Sequence, residues 1–478
     1  MHYRTIFLYA ISLCVLSASS IFAETSTPCK NMSSVMNENV VFLNSASQSS
    51  NPDFFNDEYD YFLIFVYGQS YTVANDGGYR VTDNLDDDLY ALGSISSTRG
   101  SKLVRVNETN DALNENIANS AINIIAKLCK KNVRKSPRFI IGNEGKGSRT
   151  ILELMKESSV KSLLKKDEWV KFKTLETYEN RYSRVLDYLE NLKNWAERNN
   201  KVIFCPFYIY LQGESDTHTG LIKHGPISCS GGNYSIYKER LSLLLADLKD
   251  DIVNATGQSL DPVAFIYNVG NGQFHDTLNG ISQAQTDISI EYDGIFSFGP
   301  YYAYPSYGAH PTPDGRRWMG EALAKLFFST FMDKVNKSMF IASYSICGNK
   351  VLLNIKTPSP PLLIDNMTAK KVENSGFKAF DGNLNEIKIC LVAVKDTQIE
   401  LSFESLPSDD FYISYGSDGS GNIRDSDDWR STYMYSSNDI GNMSSFAHYP
   451  VDINGNALIG KYYPMWNWLP FGFLKIEM

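Results

Sequence analysis

The sequence predicts an α/β protein built on a parallel sheet flanked by helices, followed by a smaller all-β domain. Three observations carry this expectation. From Tyr61 to about residue 335, apolar strand-like runs alternate with segments of helical period, and that alternation places parallel strands between helical layers. Beyond Asn336 the pattern changes to short strand candidates separated by Pro, Gly and Asp/Asn turns, which reads as a β-sandwich. The length of 478 residues, with 43% hydrophobic and 21% charged residues, suits two or three soluble domains with sizeable cores.

Taken in order, residues 1–23 have the form of a secretory signal peptide. Arg4 precedes the apolar stretch 6–18, and small residues at 17–20 lead through Phe22 and Ala23 to polar Glu24, Thr25 and Ser26. The expectation is export to a periplasmic or secreted location, with no membrane span once the signal is removed. Residues 24–58 are polar, rich in Ser and Asn, and read as a lead-in. Residues 59–335 form the expected α/β domain and 336–478 the accessory β-sandwich domain.

Within the α/β domain the strand candidates are 61–68, 138–141, 202–211, 263–267 and 295–298. A helix from Tyr182 carries Val185, Leu186, Leu189, Leu192 and Trp195 on one face and ends at Asn199 and Asn200. A second carries Tyr237, Leu241, Leu244, Leu245 and Leu248. A third follows Gly315 with Trp318, Leu323, Leu326 and Phe327. The sandwich strands are expected at 351–355, 386–394, 398–403 and 411–415.

Composition narrows the function. A net charge of −9 without a long Lys/Arg block offers no field for a phosphate backbone, so nucleic acid is not an expected partner. Loss of the signal removes Cys14 and leaves Cys29, Cys129, Cys205, Cys229, Cys347 and Cys390, an even number that permits disulfides in an exported chain. Cys347 with Cys390 is the first pairing to consider, and Cys205, inside an apolar strand, reads as a buried free thiol. The six histidines are scattered and form no Cys/His cluster, so a metal is not expected.

Four segments carry chemistry. The first apolar run ends abruptly in Gly68-Gln69-Ser70, placing a hydroxyl at the C-terminal edge of a strand, where open parallel sheets hold their ligands. Alone, such a serine is usually a cap or turn residue. His310, in Gly308-Ala309-His310-Pro311, supplies a candidate base for it; Pro311 stiffens that loop and the helix near Asp314 anchors it. Between them in sequence, Gly145-Lys146-Gly147-Ser148 follows a strand and precedes an apolar helix, with a spacing that fits neither phosphate-loop pattern. Gly147 is the candidate oxyanion donor. Gln212-Gly213-Glu214-Ser215-Asp216 brings an amide and a carboxylate to the same sheet edge: Gln212 to donate to the oxyanion, Glu214 to orient His310.

Together these blocks resemble the SGNH hydrolases, and among them the carbohydrate acetylesterases that include sialate O-acetylesterases and acetylxylan esterases. The resemblance runs from about residue 60 to 335 and also touches Ile281-Ser282-Gln283-Ala284-Gln285, which looks like the family's Ala-Gln helix. It implies a three-layer α/β/α domain, cofactor-free attack by Ser70 with His310 as base, and an acetylated carbohydrate as substrate. The family's late Asp-x-x-His stands here as Tyr307-Gly308-Ala309-His310, so the aspartate is missing and the orienting role passes to Glu214. Two other readings follow the same scaffold: a non-catalytic carbohydrate-binding or adhesin protein that has lost the acid, and a lipid or thioester hydrolase. Trp466 and Trp468, at alternate positions, are either sugar-stacking residues or a packed face, the latter being the commoner use.

Overall fold

The structure, a computed structural model, describes residues 30–34, 58–73, 80–92, 102–108, 114–132, 137–175, 179–270, 276–307, 310–333, 338–369, 371–436 and 458–478. The chain enters with β1 (Lys30–Ser34). The main sheet then takes β2 (Tyr61–Gly68), β3 (Leu89–Leu92), β4 (Leu103–Arg105), β5 (Phe139–Asn143), β6 (Ile203–Leu211), β7 (Val263–Asn268) and β8 (Ile295–Pro300). Its spatial order is β4-β3-β5-β2-β6-β7-β8. Every pairing is parallel except that of β3 with β4. Five of these strands lie where the apolar runs predict them, whereas β3 and β4 are short edge strands without a long apolar run.

Nine helices are described: α1 (Ile117–Asn132), α2 (Ile151–Leu154), α3 (Glu157–Leu163), α4 (Lys166–Lys173), α5 (Tyr182–Asn199), α6 (His218–Ser228), α7 (Tyr234–Thr256), α8 (Gly280–Glu291) and α9 (Pro313–Phe328). The three layers follow from the pleat of β2, whose residues are buried throughout. Phe62, Ile64 and Val66 point into one core with α1 and α9. Tyr61, Leu63, Phe65 and Tyr67 point into the other, with α5, α7 and α8. A strand covered on both faces has no polar side, which is why this one reads as a continuous apolar run.

Helix α5 ends as its sequence suggests, at Asn200 in the left-handed conformation (φ 51°). Its apolar stripe buries Val185, Leu189, Leu192 and Trp195, but Leu186 is 39% exposed and lies off the face assigned to it. Helix α7 is capped by Asn233, whose side chain accepts from Ile236 N at 3.0 Å, and closed by Gly257. Helix α9 starts with Thr312 as cap and Pro313 in the first turn.

Just before α9, β9 (Ser306–Tyr307) and β10 (His310–Pro311) pair antiparallel, setting His310 opposite Tyr307. The C-terminal region comprises β11 (Phe340–Cys347), β12 (Lys350–Lys356), β13 (Leu363–Ile364), β14 (Phe377–Phe380), β15 (Glu386–Ile387), β16 (Ile389–Lys395), β17 (Gln398–Phe403), β18 (Phe411–Tyr415), β19 (Ile423–Arg424), β20 (Arg430–Met434), β21 (Tyr462–Pro464) and β22 (Gly472–Ile476). Two antiparallel sheets, β1-β11-β12-β17-β16 and β15-β14-β18-β22, close on one core through Val351, Leu353, Ile399 and Leu401 from one side and Phe377, Phe411, Ile413 and Ile476 from the other. This is the β-sandwich.

Its connectivity is less sequential than the chain suggests. Strand β1, inside the stretch read as a lead-in, is the edge of the first sheet, paired with β11 from Lys30↔Ile346 onward. Between β18 and β22, residues around 431–432 and 463–465 lie along α9. Arg317 donates to Tyr463 Oη at 2.8 Å, Lys325 to Met465 O at 2.6 Å, and Glu321 accepts from Ser431 and Thr432. That covering explains why α9 is buried on almost every side.

One detail corrects the sequence reading and another decides between its alternatives. Cys347 is disulfide-bonded while Cys390 is an exposed free thiol, so the two do not pair; Cys129, Cys205 and Cys229 are buried and free. Trp466 carries the Arg424 guanidinium 3.4 Å above its ring and Trp468 is 3% exposed, so both serve packing. Among the described residues no helix is long and apolar enough to cross a membrane, and no group of His, Cys, Asp or Glu is arranged to hold a metal.

Candidate active site

At the C-terminal end of β2, Gly68 adopts φ +139°, and a Cβ there would overlap the Leu211 carbonyl oxygen of the neighbouring β6. Only glycine fits a backbone that turns this sharply against another strand. Gln69 N still donates to Leu211 O at 2.8 Å, and Ser70 then opens a single 3₁₀ turn, Ser70–Thr72. The turn is held from inside: Thr72 N and Oγ1 both donate to Gln69 O, at 3.0 and 2.6 Å. Ser70 is therefore half-buried at the sheet edge on a fixed backbone.

The glycine-rich loop lies directly beside it. Glu144 N donates to Val66 O at 3.1 Å and Lys146 N to Gly68 O at 2.9 Å, continuing the β2–β5 pairing beyond the strands. Gly145 passes so close to Thr72 that a Cβ would overlap its hydroxyl. At Gly147 a Cβ would meet one neighbour, Ser70 Cβ, at 3.8 Å. The backbone N–H groups of Ser70 and Gly147, on neighbouring segments, make no hydrogen bond among the described residues. Such a pair suits an oxyanion.

Gln212 departs from its expected role. Its amide donates to Asp216 Oδ2 at 2.6 Å and to Arg149 O at 3.2 Å, and the residue has no exposed surface. Both protons are committed, so the side chain braces the loop and offers no donor to a ligand. Asp216, equally buried, gathers Ile151 N at 2.7 Å and Ser230 N at 2.8 Å onto the same carboxylate. The Ala-Gln helix anchors the other side: Gln285 donates to Gln212 O at 2.7 Å and accepts from Val269 N at 2.7 Å.

Glu214 is enclosed. Its carboxylate accepts from Gln69 Nε2 and Tyr267 Oη, and the Tyr71 hydroxyl lies in hydrogen-bonding reach. Burial pushes the carboxyl up to about 7, against the opposing effect of these donors. Its partners are thus Gln69, Tyr71 and Tyr267, not the imidazole. His310, half-buried on the β9–β10 hairpin, instead meets Tyr71: the two rings stand at 88° with centroids 5.6 Å apart. Tyr71 also stacks on Tyr301, 5.1 Å between centroids and 1° between planes.

Ser70, Gly147, Glu214 and His310 are therefore brought to one edge of the sheet, with Tyr71 between the last two, and Gln212 is behind them. Asp314, the other acid near His310 in sequence, faces away. It pairs with Arg317 at 2.8 Å and accepts from Ser436 and Tyr463. The aromatic part of the cluster, Tyr71, Tyr267 and Tyr301, was not singled out in the sequence. Its only signals there are tyrosines at the C-terminal ends of apolar runs and one directly after the candidate nucleophile.

No family model and no curated protein matches the chain. Among solved structures, a carbohydrate acetylesterase from Xanthomonas citri superposes with a TM-score of 0.51 at 14% identity, covering 76% of this chain and 77% of that one. The α/β domain has an SGNH-hydrolase-like fold. NanS and an Arabidopsis thaliana protein align with lower TM-scores, 0.35 and 0.37, at 11% and 13% identity. They cover 58% and 56% of this chain and 98% of each of those chains. On the SGNH-like scaffold, the cluster around Ser70 occupies the C-terminal edge of the parallel sheet.

Proposed function

We propose that this chain is a serine esterase that removes O-acetyl groups from a carbohydrate. The observation that carries the reading is the seating of Gly147 against Ser70, with the backbone N–H groups of both residues unengaged. Ser70 Oγ attacks the acetyl carbonyl as His310 takes its proton, and the N–H groups of Ser70 and Gly147 hold the tetrahedral oxyanion. Collapse returns the proton from His310 to the departing sugar oxygen and leaves acetyl on Ser70. Water, deprotonated by His310, then releases acetate and restores the serine. Gln212 has no donor part in this scheme.

The acetyl preference and the sugar rest on the sequence blocks and the scaffold. Export rests on the pattern of residues 1–23, which lie outside the described residues. It is supported by the disulfide at Cys347, since such bonds persist in oxidising compartments. The test is hydrolysis of p-nitrophenyl acetate and of acetylated xylan and sialic acids by the parent and Ser70→Ala. Turnover lost in the variant supports the assignment; equal turnover rejects Ser70 as the nucleophile, and turnover in neither protein rejects the esterase in favour of a binding role.

A further inference from the structure

The hairpin carrying His310 has no aspartate three residues before the histidine, and Glu214 is committed to other partners. Tyr71 meets both. Its ring stands at right angles to the imidazole, and its hydroxyl reaches Glu214 on one side and the Tyr301 hydroxyl on the other. Tyr301 reaches on to Ser306, which pairs with Pro311 in the hairpin that presents His310. A connected path thus runs from Glu214 through Tyr71 and Tyr301 to the strand opposite the histidine.

We propose that Tyr71 is the positioning residue for His310: Glu214 acts on the base through the Tyr71 phenol and not by direct contact. This rests on the esterase reading only in taking His310 as the base. Physically, the stack on Tyr301 fixes the phenol ring, its hydroxyl lies in reach of Glu214, and a fixed ring sets the plane of the imidazole packed against it. Among the described residues, Glu214, Tyr267, Tyr301 and Arg316 are charged or titratable groups around this path. Arg316 is fully buried, donates to Val73 O at 3.3 Å, and opposes ionisation-suppressing burial at both Tyr71 and Tyr301.

The test uses the full chain and three variants: Tyr71→Phe, which removes one oxygen and keeps the ring; Glu214→Gln; and the double variant. On p-nitrophenyl acetate, Tyr71→Phe is expected to lower kcat by about tenfold with KM within about twofold, and to move the acid limb of the rate profile upward because Glu214 loses a donor to its charged form. In the Glu214→Gln background the same substitution is expected to change kcat by less than about twofold, since the two residues act along one path. Additive losses, or an unchanged pH profile in Tyr71→Phe, overturn the proposal. Titration of the His310 ring protons by NMR, assigned with His310→Asn, reads the coupling without turnover. A shift of about half a pH unit or more in Tyr71→Phe is expected, and superimposable curves reject the coupling whether or not the protein is an esterase.

Discussion

Replacing Glu214 by glutamine should change how stability responds to pH, and the size of the effect follows from burial. Glu214 is 3% exposed, and its carboxyl titrates near 7 in the fold against 4.5 for the free group. Because the folded state holds the proton more tightly, the stability linked to this group is full below pH 4.5 and is lost as pH rises toward and through 7. The difference of about 2.5 pH units corresponds to ~3 kcal/mol at ~1.4 kcal/mol per unit. Other buried acids, Glu115, Asp287 and Glu321, are also displaced upward by burial, so the parent's own profile mixes several groups. The difference between parent and Glu214→Gln isolates one. Urea unfolding followed by tryptophan fluorescence from pH 4.5 to 8.5 should show the variant gaining ~3 kcal/mol on the parent across that range, whatever the constant offset from altered hydrogen bonds. A difference constant within about 0.5 kcal/mol would falsify the placement of a buried, reluctant carboxylate here.

Four further outcomes are expected. Ser70→Ala should leave less than about 1% of parental ester hydrolysis with an unchanged melting temperature, and a fluorophosphonate should label the parent at Ser70. Rates should fall steeply from acetyl to butyryl to octanoyl esters if a small acyl pocket sets the preference; faster octanoyl turnover points to a lipase-like enzyme. Asp314→Asn should cost about 3 kcal/mol or more, well beyond a first-turn helix effect, because it leaves the buried Arg317 charge short of its partner, while kcat of the folded fraction holds. Gly68→Ala should prevent accumulation of folded protein, whereas Gly147→Ala, with ordinary contact distance to Ser70, should fold with a melting temperature within a few degrees of the parent.

The architecture of the SGNH-like domain was largely legible in the sequence, and so were the segments that build its sheet edge. Both depend on local signals. A strand buried on two faces is apolar at every position, as residues 61–67 are, and a chain that must leave it without colliding with its neighbour needs glycine at 68. The glycine-rich loop and the Gln-Gly-Glu turn likewise follow strands that the apolar runs mark.

What only the tertiary structure decided is which polar group each side chain meets. Gln212 and Glu214 are two residues apart, yet one faces Asp216 and Arg149 while the other faces Gln69 and Tyr267. Gln212 turns back on Asp216 of its own segment, whereas both partners of Glu214 come from other strand ends. Asp314 reads as a helix-end acid until Tyr463, 149 residues later, arrives beside it. Strand β1 has no apolar pattern to announce it, because an edge strand draws on the backbone of β11 for its bonds and needs little from its own side chains. Periodicity records how much of a segment is buried; the partners of Glu214 and the Tyr463 contact of Asp314 come from distant segments, and the single sequence carries no local trace of those choices.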